Sequence, residues 1–434
     1  MGINENTGNA EISGKKFGYF KELFGLAKSN IRDYMMYFVL IAIIVIFSVK
    51  TNGKFITANN ISNLFNQAAY VAVLAIGMTV ILILKHIDLS VGYVAGFCGA
   101  ISALLLYNGM PVYYVIPIVL LVGLAIGMIQ GLLVTRVGVP AFVITLAGMF
   151  IFRGCLGIAT SKSGTIVVKD ETFNALNNGF IPSLYTFEYT LNAGTGAEKV
   201  IHFHILTILI GLVGIALMIY SQISARKNKK KYGFKVMSAP LFVIAMIIVS
   251  LVIMTIITVL SMENGIPWSA VIVAIILFIF NFVLNKTKIG RYIYGIGGND
   301  QAAELSGVNV KNVTLLSFVA MSVLASIAGI LYTSRLQSAT PTAGNGFEMD
   351  AIASAYIGGV AVSGGVGKVT NTIIGTLVIM SLTNGMNLMG VDAFAQYIIK
   401  GVIFICAVAF DVLTRKGYKI RFRKGFFKRF KKNK

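Results

Sequence analysis

Twelve apolar runs, separated by short polar connections, govern what this chain can become. They lie at 34–49, 66–84, 91–107, 113–135, 139–159, 203–220, 240–260, 267–285, 313–333, 351–366, 370–388 and 394–413. About 20 predominantly apolar residues cross the hydrocarbon of a bilayer as one helix. Most of the runs are that long. The first, third and tenth are short, which leaves re-entrant or half-crossing segments open there. None alternates apolar and polar residues over ten-residue strands, which argues against an outer-membrane barrel. Composition agrees, since 56% of the 434 residues are hydrophobic and only 12% are charged. A soluble fold would have to hide far more apolar surface than such domains bury, and disordered chains are poor in apolar residues. The expected fold is all-α, a polytopic integral membrane helical bundle of ten to twelve transmembrane segments.

The formal net charge of +21 suggests a nucleic-acid surface until its location is read. Arg415 to Lys434 holds eleven Lys/Arg and no acid, and Ser221 to Ser238 holds six more, together 17 of the 21 units. Charge confined to one loop and one tail marks topology, not nucleic acid. Residues 1–33 are polar and the apolar run starts at Tyr34, too late for a usual secretory signal, so that run reads as a retained signal anchor. Setting Lys15, Lys16, Lys21, Lys28 and Arg32 on the cytoplasmic side puts 85–90, Arg136, 221–238 and 286–312 there as well. An even number of spans returns the basic tail, 414–434, to the same side. The membrane domain is then 34–413, with 160–202 as its longest extracytoplasmic loop, read as a variable connection in preference to a packed cap.

Chemistry is sparse. Cys98, Cys155 and Cys406 lie in apolar stretches without CxxC spacing and read as small helix residues, so neither a disulfide framework nor a metal site follows. In a helix, the His202–Phe203–His204 spacing sets the imidazoles on different faces. HExxH and GxSxG are absent. The nearest approach to a phosphate-cradling loop is Gly364–Gly365–Val366–Gly367–Lys368–Val369. It lacks the first glycine and the hydroxyl after Lys, so ATP would be hydrolysed by another chain. Acids (Asp88, Glu348, Asp350, Asp392, Asp411) fall at span edges. Inside spans the polar groups are mostly neutral: Asn66, Gln67, Gln130, Thr145, Asn384, Asn387 and Gln396, with Arg153 and Lys400 as exceptions. Neutral hydrogen-bonding groups suit an uncharged, polyhydroxylated solute, or else they join helices. Asp88, Ser90, Gln67, Gln130, Asn384 and Asn387 are the candidate translocation path.

Two loops stand out. In His86–Ile87–Asp88–Leu89–Ser90–Val91–Gly92, Asp88 and Ser90 suit the start of the following helix, or they touch solute directly. In 290–311, Asn299 or Asp300 can cap a short helix through Gln301 to Ser306, which Gly307 stops. Glycine turns on either side would present that helix to another protein's groove.

The second loop resembles the coupling loop of permease subunits from bacterial ABC importers, in the branch that holds ribose, galactoside and xylose permeases. HIDLSVG at 86–92, VPAFVITLAGMFIFRG at 139–154 and GRYIYGIGGNDQAAELSGVNV at 290–310 all resemble that family. So do the run at 334–369 and NGMNLMGVDAFAQYIIKG at 384–401. His86 and the extra hairpin at 240–285 are similar to xylose-type or multiple-monosaccharide permeases. Lys85, where glycine is usual, and the polar Lys368–Val369–Thr370–Asn371 depart from the pattern. The resemblance implies a type II ABC importer-like permease in the bacterial inner or plasma membrane, with both termini cytoplasmic. It implies two copies forming one path, an ATPase subunit using ATP and Mg, and an extracytoplasmic sugar-binding protein; this chain itself would bind no cofactor. The docking residues it implies are Gly290, Arg291, Gly297, Gly298, Asn299, Ala302, Ala303, Ser306 and Gly307. Two other classes are weighed, a self-sufficient proton-coupled sugar carrier and a membrane-bound sugar-modifying enzyme. In the tail, Tyr418, Phe422, Phe426 and Phe430 recur every four residues among basic groups, a stripe suited to anionic lipid.

Overall fold

A computed structural model describes residues 31–161, 164–183, 185–191, 199–234 and 236–415. The aromatic stripe of the tail and nearly all of 1–33 lie outside the described residues. Helix dominates, as it must where hydrocarbon offers the backbone no partner and each segment has to satisfy its own N–H and C=O groups.

Helices α1 (Ile31–Lys50), α2 (Ala58–Ile83), α3 (Val91–Tyr107), α4 (Val112–Leu132) and α5 (Ala141–Thr160) come first. A small region follows, with β1 (Ile166–Val167), α6 (Glu171–Asn178), β2 (Thr186–Leu191) and β3 (Lys199–His204). Then come α7 (Ile205–Lys231), α8 (Ala239–Ser261), α9 (Trp268–Lys286), and the short pair α10 (Lys288–Gly298) and α11 (Asp300–Leu305). The chain ends with α12 (Val310–Leu336), β4 (Ser338–Ala339), α13 (Phe347–Ile357), α14 (Val369–Leu388) and α15 (Ala393–Arg415). Among the described residues, eight helices are long and apolar enough to cross a membrane, and Met35–Lys50, Val91–Tyr107 and Ala393–Ala409 are shorter apolar helices.

The bundle has a centre and a rim. The apolar window of α2 is 89% buried, against 6% for α8. Helix association in lipid depends on close packing, and small residues supply it here. A Cβ at Gly127 would stand 2.7 Å from the Val319 Cα, and one at Gly99 2.9 Å from the Gly329 carbonyl oxygen. So α3 and α4 lie tightly along α12. Some interhelical polar groups satisfy one another: Asn60 and Asn384 exchange amide hydrogen bonds at 2.9 and 3.1 Å, and Ser269 donates to Asn66 at 2.8 Å. By contrast α7 and α8 pack mainly on each other and turn Leu, Ile and Val side chains outward to the lipid.

Several sequence expectations change. The run at 351–366 is not one span: α13 ends at Ile357, and 358–368 is a loop in which Gly359, Gly364 and Gly365 take positive φ. The run at 203–220 begins in a strand, because His202–Phe203–His204 belongs to β3 and pairs antiparallel with β2, so reasoning from helix faces fails there. Most of the 221–238 loop is the end of α7, which continues to Lys231. Part of 160–202 is a packed cap. Asp170 caps α6 through the Phe173 amide at 2.8 Å, Phe173 is fully buried, and β1 pairs with β4. The Asn177 amide and the Asn178 side chain donate to Ser334 at 3.0 and 2.9 Å, which fixes the cap on the end of α12.

Two apolar segments form short helices. At about 1.5 Å per residue, α3 covers about 25 Å and α13 about 16 Å, both short of a bilayer core of about 30 Å. Each follows an irregular stretch, 84–90 before α3 and the turns at 341–346 before α13. The two starts meet inside the bundle, where Gly92 lies against the Gly344 carbonyl and Gly96 against Ala343.

Candidate functional site

Two places gather the polar and glycine residues of interest. The first is the α10–α11 platform at one end of the bundle. Thr287 accepts from the Gly290 amide at 3.3 Å and starts α10, while Gly290 itself lies against the Leu284 carbonyl, leaving no room for a side chain. Arg291 is exposed. At the other end of α10, Gly297 is buried against the Ile83 carbonyl, and a Cβ there would come within 2.7 Å of the Gly365 amide. The Gly365 amide donates to the Ile83 carbonyl at 2.9 Å, and Lys85 Nζ donates to the Gly298 carbonyl at 3.3 Å. The Tyr294 hydroxyl donates to the Gly367 carbonyl at 2.8 Å, and burial pushes this phenol above its ordinary pKa, so it stays protonated as a donor. Three backbones thus converge: the end of α2, the end of α10 and the loop after α13.

α11 forms as its residues dictate. Asn299 accepts from the Ala302 amide at 3.0 Å, a helix start of the usual kind. Ser306 Oγ donates to the Ala302 carbonyl at 2.8 Å, and Gly307 leaves with φ +83°. Ala303 faces inward. Ala302 and Ser306 are exposed, and Leu305 is 91% exposed. Sequence reasoning overlooks Leu305, Tyr294 and the loop glycines. An apolar residue beside the Gly307 stop is the available signal for the first; the others are defined by distant contacts.

The second place is the junction of α3 and α13. Asp88 Oδ1 accepts from the Ser90 amide at 2.9 Å and from Ser90 Oγ at 2.7 Å, and Gln130 Nε2 donates to Ser90 Oγ at 3.0 Å. Asp88, Ser90 and Gln130 are therefore one network. The remaining path candidates stand elsewhere. Asn384 is occupied by Asn60; Asn387 accepts from Gln396 at 2.8 Å; Gln67 Oε1 is buried without a hydrogen-bond partner among the described residues. Asp88 Oδ2 and Glu348 Oε2 share that condition. Asp88 lies just before α3 and Glu348 in the first turn of α13, where the exposed N–H groups of a helix start carry partial positive charge. Two such ends brought together repel, and the two carboxylates offset them. Arg153 lies over the Tyr93 ring at 5.8 Å. Lys400, one of the charged exceptions inside a span, donates to both Asp350 oxygens at 3.0 and 3.1 Å. Among the described residues no three His, Cys, Asp or Glu stand close enough to hold a metal.

Residues 60–408 match the family described as branched-chain amino acid transport system / permease component. The chain is 33% identical to the xylose transport system permease protein of Escherichia coli K12 over 393 residues, covering 90% of this chain and 94% of that one. It is 34% identical to the xylose transport system permease protein of Haemophilus influenzae over 395 residues, 91% of this chain and all of the relative. To the ribose import permease protein of Haemophilus influenzae it is 31% identical over 380 residues, 88% of this chain and 92% of that one. No solved structure matches the chain. The match runs through both the platform and the junction, and the chain belongs to the monosaccharide permeases of bacterial ABC importers, in the branch that holds the xylose and ribose permeases.

Proposed function

We propose that this chain carries a monosaccharide across the inner or plasma membrane of a bacterium as the permease subunit of an importer energised by a separate ATPase. The observation that carries this reading is the platform. Its inner face is seated, with Gly297 against the end of α2 and the loop after α13 and with Ala303 buried, while Ala302, Leu305 and Ser306 stand free at the end of the bundle. In this reading the ATPase subunit receives Leu305 in a groove and uses ATP and Mg itself. Closing of the ATPase pushes α10. The Tyr294–Gly367 hydrogen bond and the Gly297–Ile83 contact then pass the displacement to the start of α14 and to α2 as rigid elements.

The remaining assignments follow from the same reading. Two copies form one path, and both termini, with the platform, face the cytoplasm. A sugar-binding protein delivers solute at the α6 cap, and the basic tail meets anionic lipid. The exposed Lys227, Lys229, Lys230 and Lys231 at the end of α7 support this sidedness. No observation favours a self-sufficient proton-coupled carrier.

Proteoliposomes carrying the chain with the ATPase and binding protein encoded beside it test the reading. Uptake of labelled d-xylose or d-ribose is expected to need ATP and to survive an uncoupler. Uptake by the chain alone, driven by a pH gradient, would overturn it.

A further inference from the structure

A cavity of about 240 Å³ lies between α13, α14, α15 and the middle of α2. Ligand pockets for drug-sized molecules run about 300–1,000 Å³, so this one is sized for a smaller molecule, a single sugar ring and not a disaccharide. Its polar wall holds Asp350, Thr383, Gln396 and Lys400, and Tyr70 and Tyr397 give it aromatic sides. Tyr70 is fixed in a three-ring cluster with Tyr332 and Phe347, at centroid distances of 5.1 and 4.8 Å.

The ion pair in this wall is the feature that needs a reason. Charges at membrane depth are costly, and two apolar residues of similar size would join α13 to α15 at less desolvation cost. The Asp350 and Lys400 side chains nevertheless stay 17% and 20% exposed, so they border open space instead of being sealed in a packed core. Together they carry no net charge, which does not favour a charged solute. Beside them Thr383 donates to the Ile379 carbonyl at 3.0 Å and Gln396 to Asn387 at 2.8 Å, which leaves their oxygens as acceptors. The Lys400 ammonium keeps a third proton to donate, which completes a set that vicinal hydroxyls, each both donor and acceptor, can meet. Aromatic rings complement the apolar C–H face of a sugar ring while its hydroxyl edge meets the polar wall. The wall also adjoins a moving part in the scheme above, since Thr383 is on α14, which starts at Val369, two residues after the Gly367 carbonyl held by the platform.

We infer that this cavity is a monosaccharide-binding subsite within the membrane, built on the Asp350–Lys400 pair; the inference rests on the sugar-permease reading. The full chain in nanodiscs tests it. Thr383→Cys is labelled with a maleimide and followed by peptide mass spectrometry, with Leu305→Cys, at a 91% exposed platform position, as reference. At equal concentrations, d-xylose or d-ribose slows labelling at position 383 and not at position 305, and sucrose slows neither. Replacing Lys400 by Gln together with Asp350→Asn raises the half-protecting concentration about tenfold, as loss of charge-assisted hydrogen bonds predicts. Tyr397→Ala, a change at a residue 54% exposed, raises it severalfold with the melting temperature unchanged. Should labelling be equal with and without sugar while the assembled importer takes up that sugar, the subsite is overturned and the permease reading stands. Should the assembled importer take up no sugar, both fall.

Discussion

The α10–α11 platform and the α3–α13 junction are both rich in glycine, and glycine serves different ends in them. On the platform, Asn299 and Gly307 fix the two ends of a short helix by contacts within a few residues, while Tyr294 and Gly297 answer to more distant backbone. At the junction Asp88 and Ser90 meet locally, but the contacts that join one helix to another are distant. Gly92 and Gly96 meet Gly344 and Ala343, and Ser90 meets Gln130 from another helix. One region is assembled by neighbours in sequence and then seated. The other exists only once the start of α3 and the turns before α13 have been packed together.

If the seating of the platform is a backbone contact, Gly297→Val gives the largest effect. The added carbons meet the Ile83 carbonyl and the Gly365 amide, neither of which can rotate away, and overpacking of this kind costs about 3 kcal/mol or more. A clearly lowered melting temperature in nanodiscs is expected, and an unchanged one would mean that α10 is not held on α2. At the junction the contest is between caps and packing. Asp88→Ala strands two donors inside the bundle and should cost about 2 kcal/mol, whereas Asp88→Asn keeps an acceptor and should cost less than half as much. Denaturation of the two variants side by side checks the order, and equal losses would show that the Ser90 contacts contribute little. Tyr294→Phe removes one hydrogen bond between the regions, worth about 1 kcal/mol. Its sharper readout is sugar taken up per ATP hydrolysed, which should fall while the ATPase stays bound; an unchanged ratio would place the connection elsewhere.

What can be read in the sequence divides along the same line. The helical class, the bounds of α3 at 91–107, and the Asn299-to-Gly307 helix follow from apolar length and cap chemistry, which are local. The end of α13 at Ile357 is hidden because the apolar run continues through Val360–Ala361–Val362 into a glycine loop whose turns depend on Ile83 and Gly297. Asp88, Ser90 and Gln130 draw notice for their polarity within or beside spans, and they converge. Asn384 draws notice for the same reason and proves to be satisfied by Asn60, an exchange across 324 positions that no local pattern announces. The Asp350–Lys400 pair joins an acid placed at a span edge to a base placed inside one. Only the half-length of α13 brings them level.

The smallest expected effect on stability comes from Leu305→Arg, and for that reason it is the most direct test of the central claim that α11 has a seated face and a free face. Leu305 is 91% exposed, so the melting temperature of the chain in nanodiscs should not move. Association with the ATPase subunit, measured by co-purification of that variant beside Leu305→Ala and the unaltered chain, should be lost. A Leu305→Arg variant that folds normally and still holds its ATPase would contradict the account.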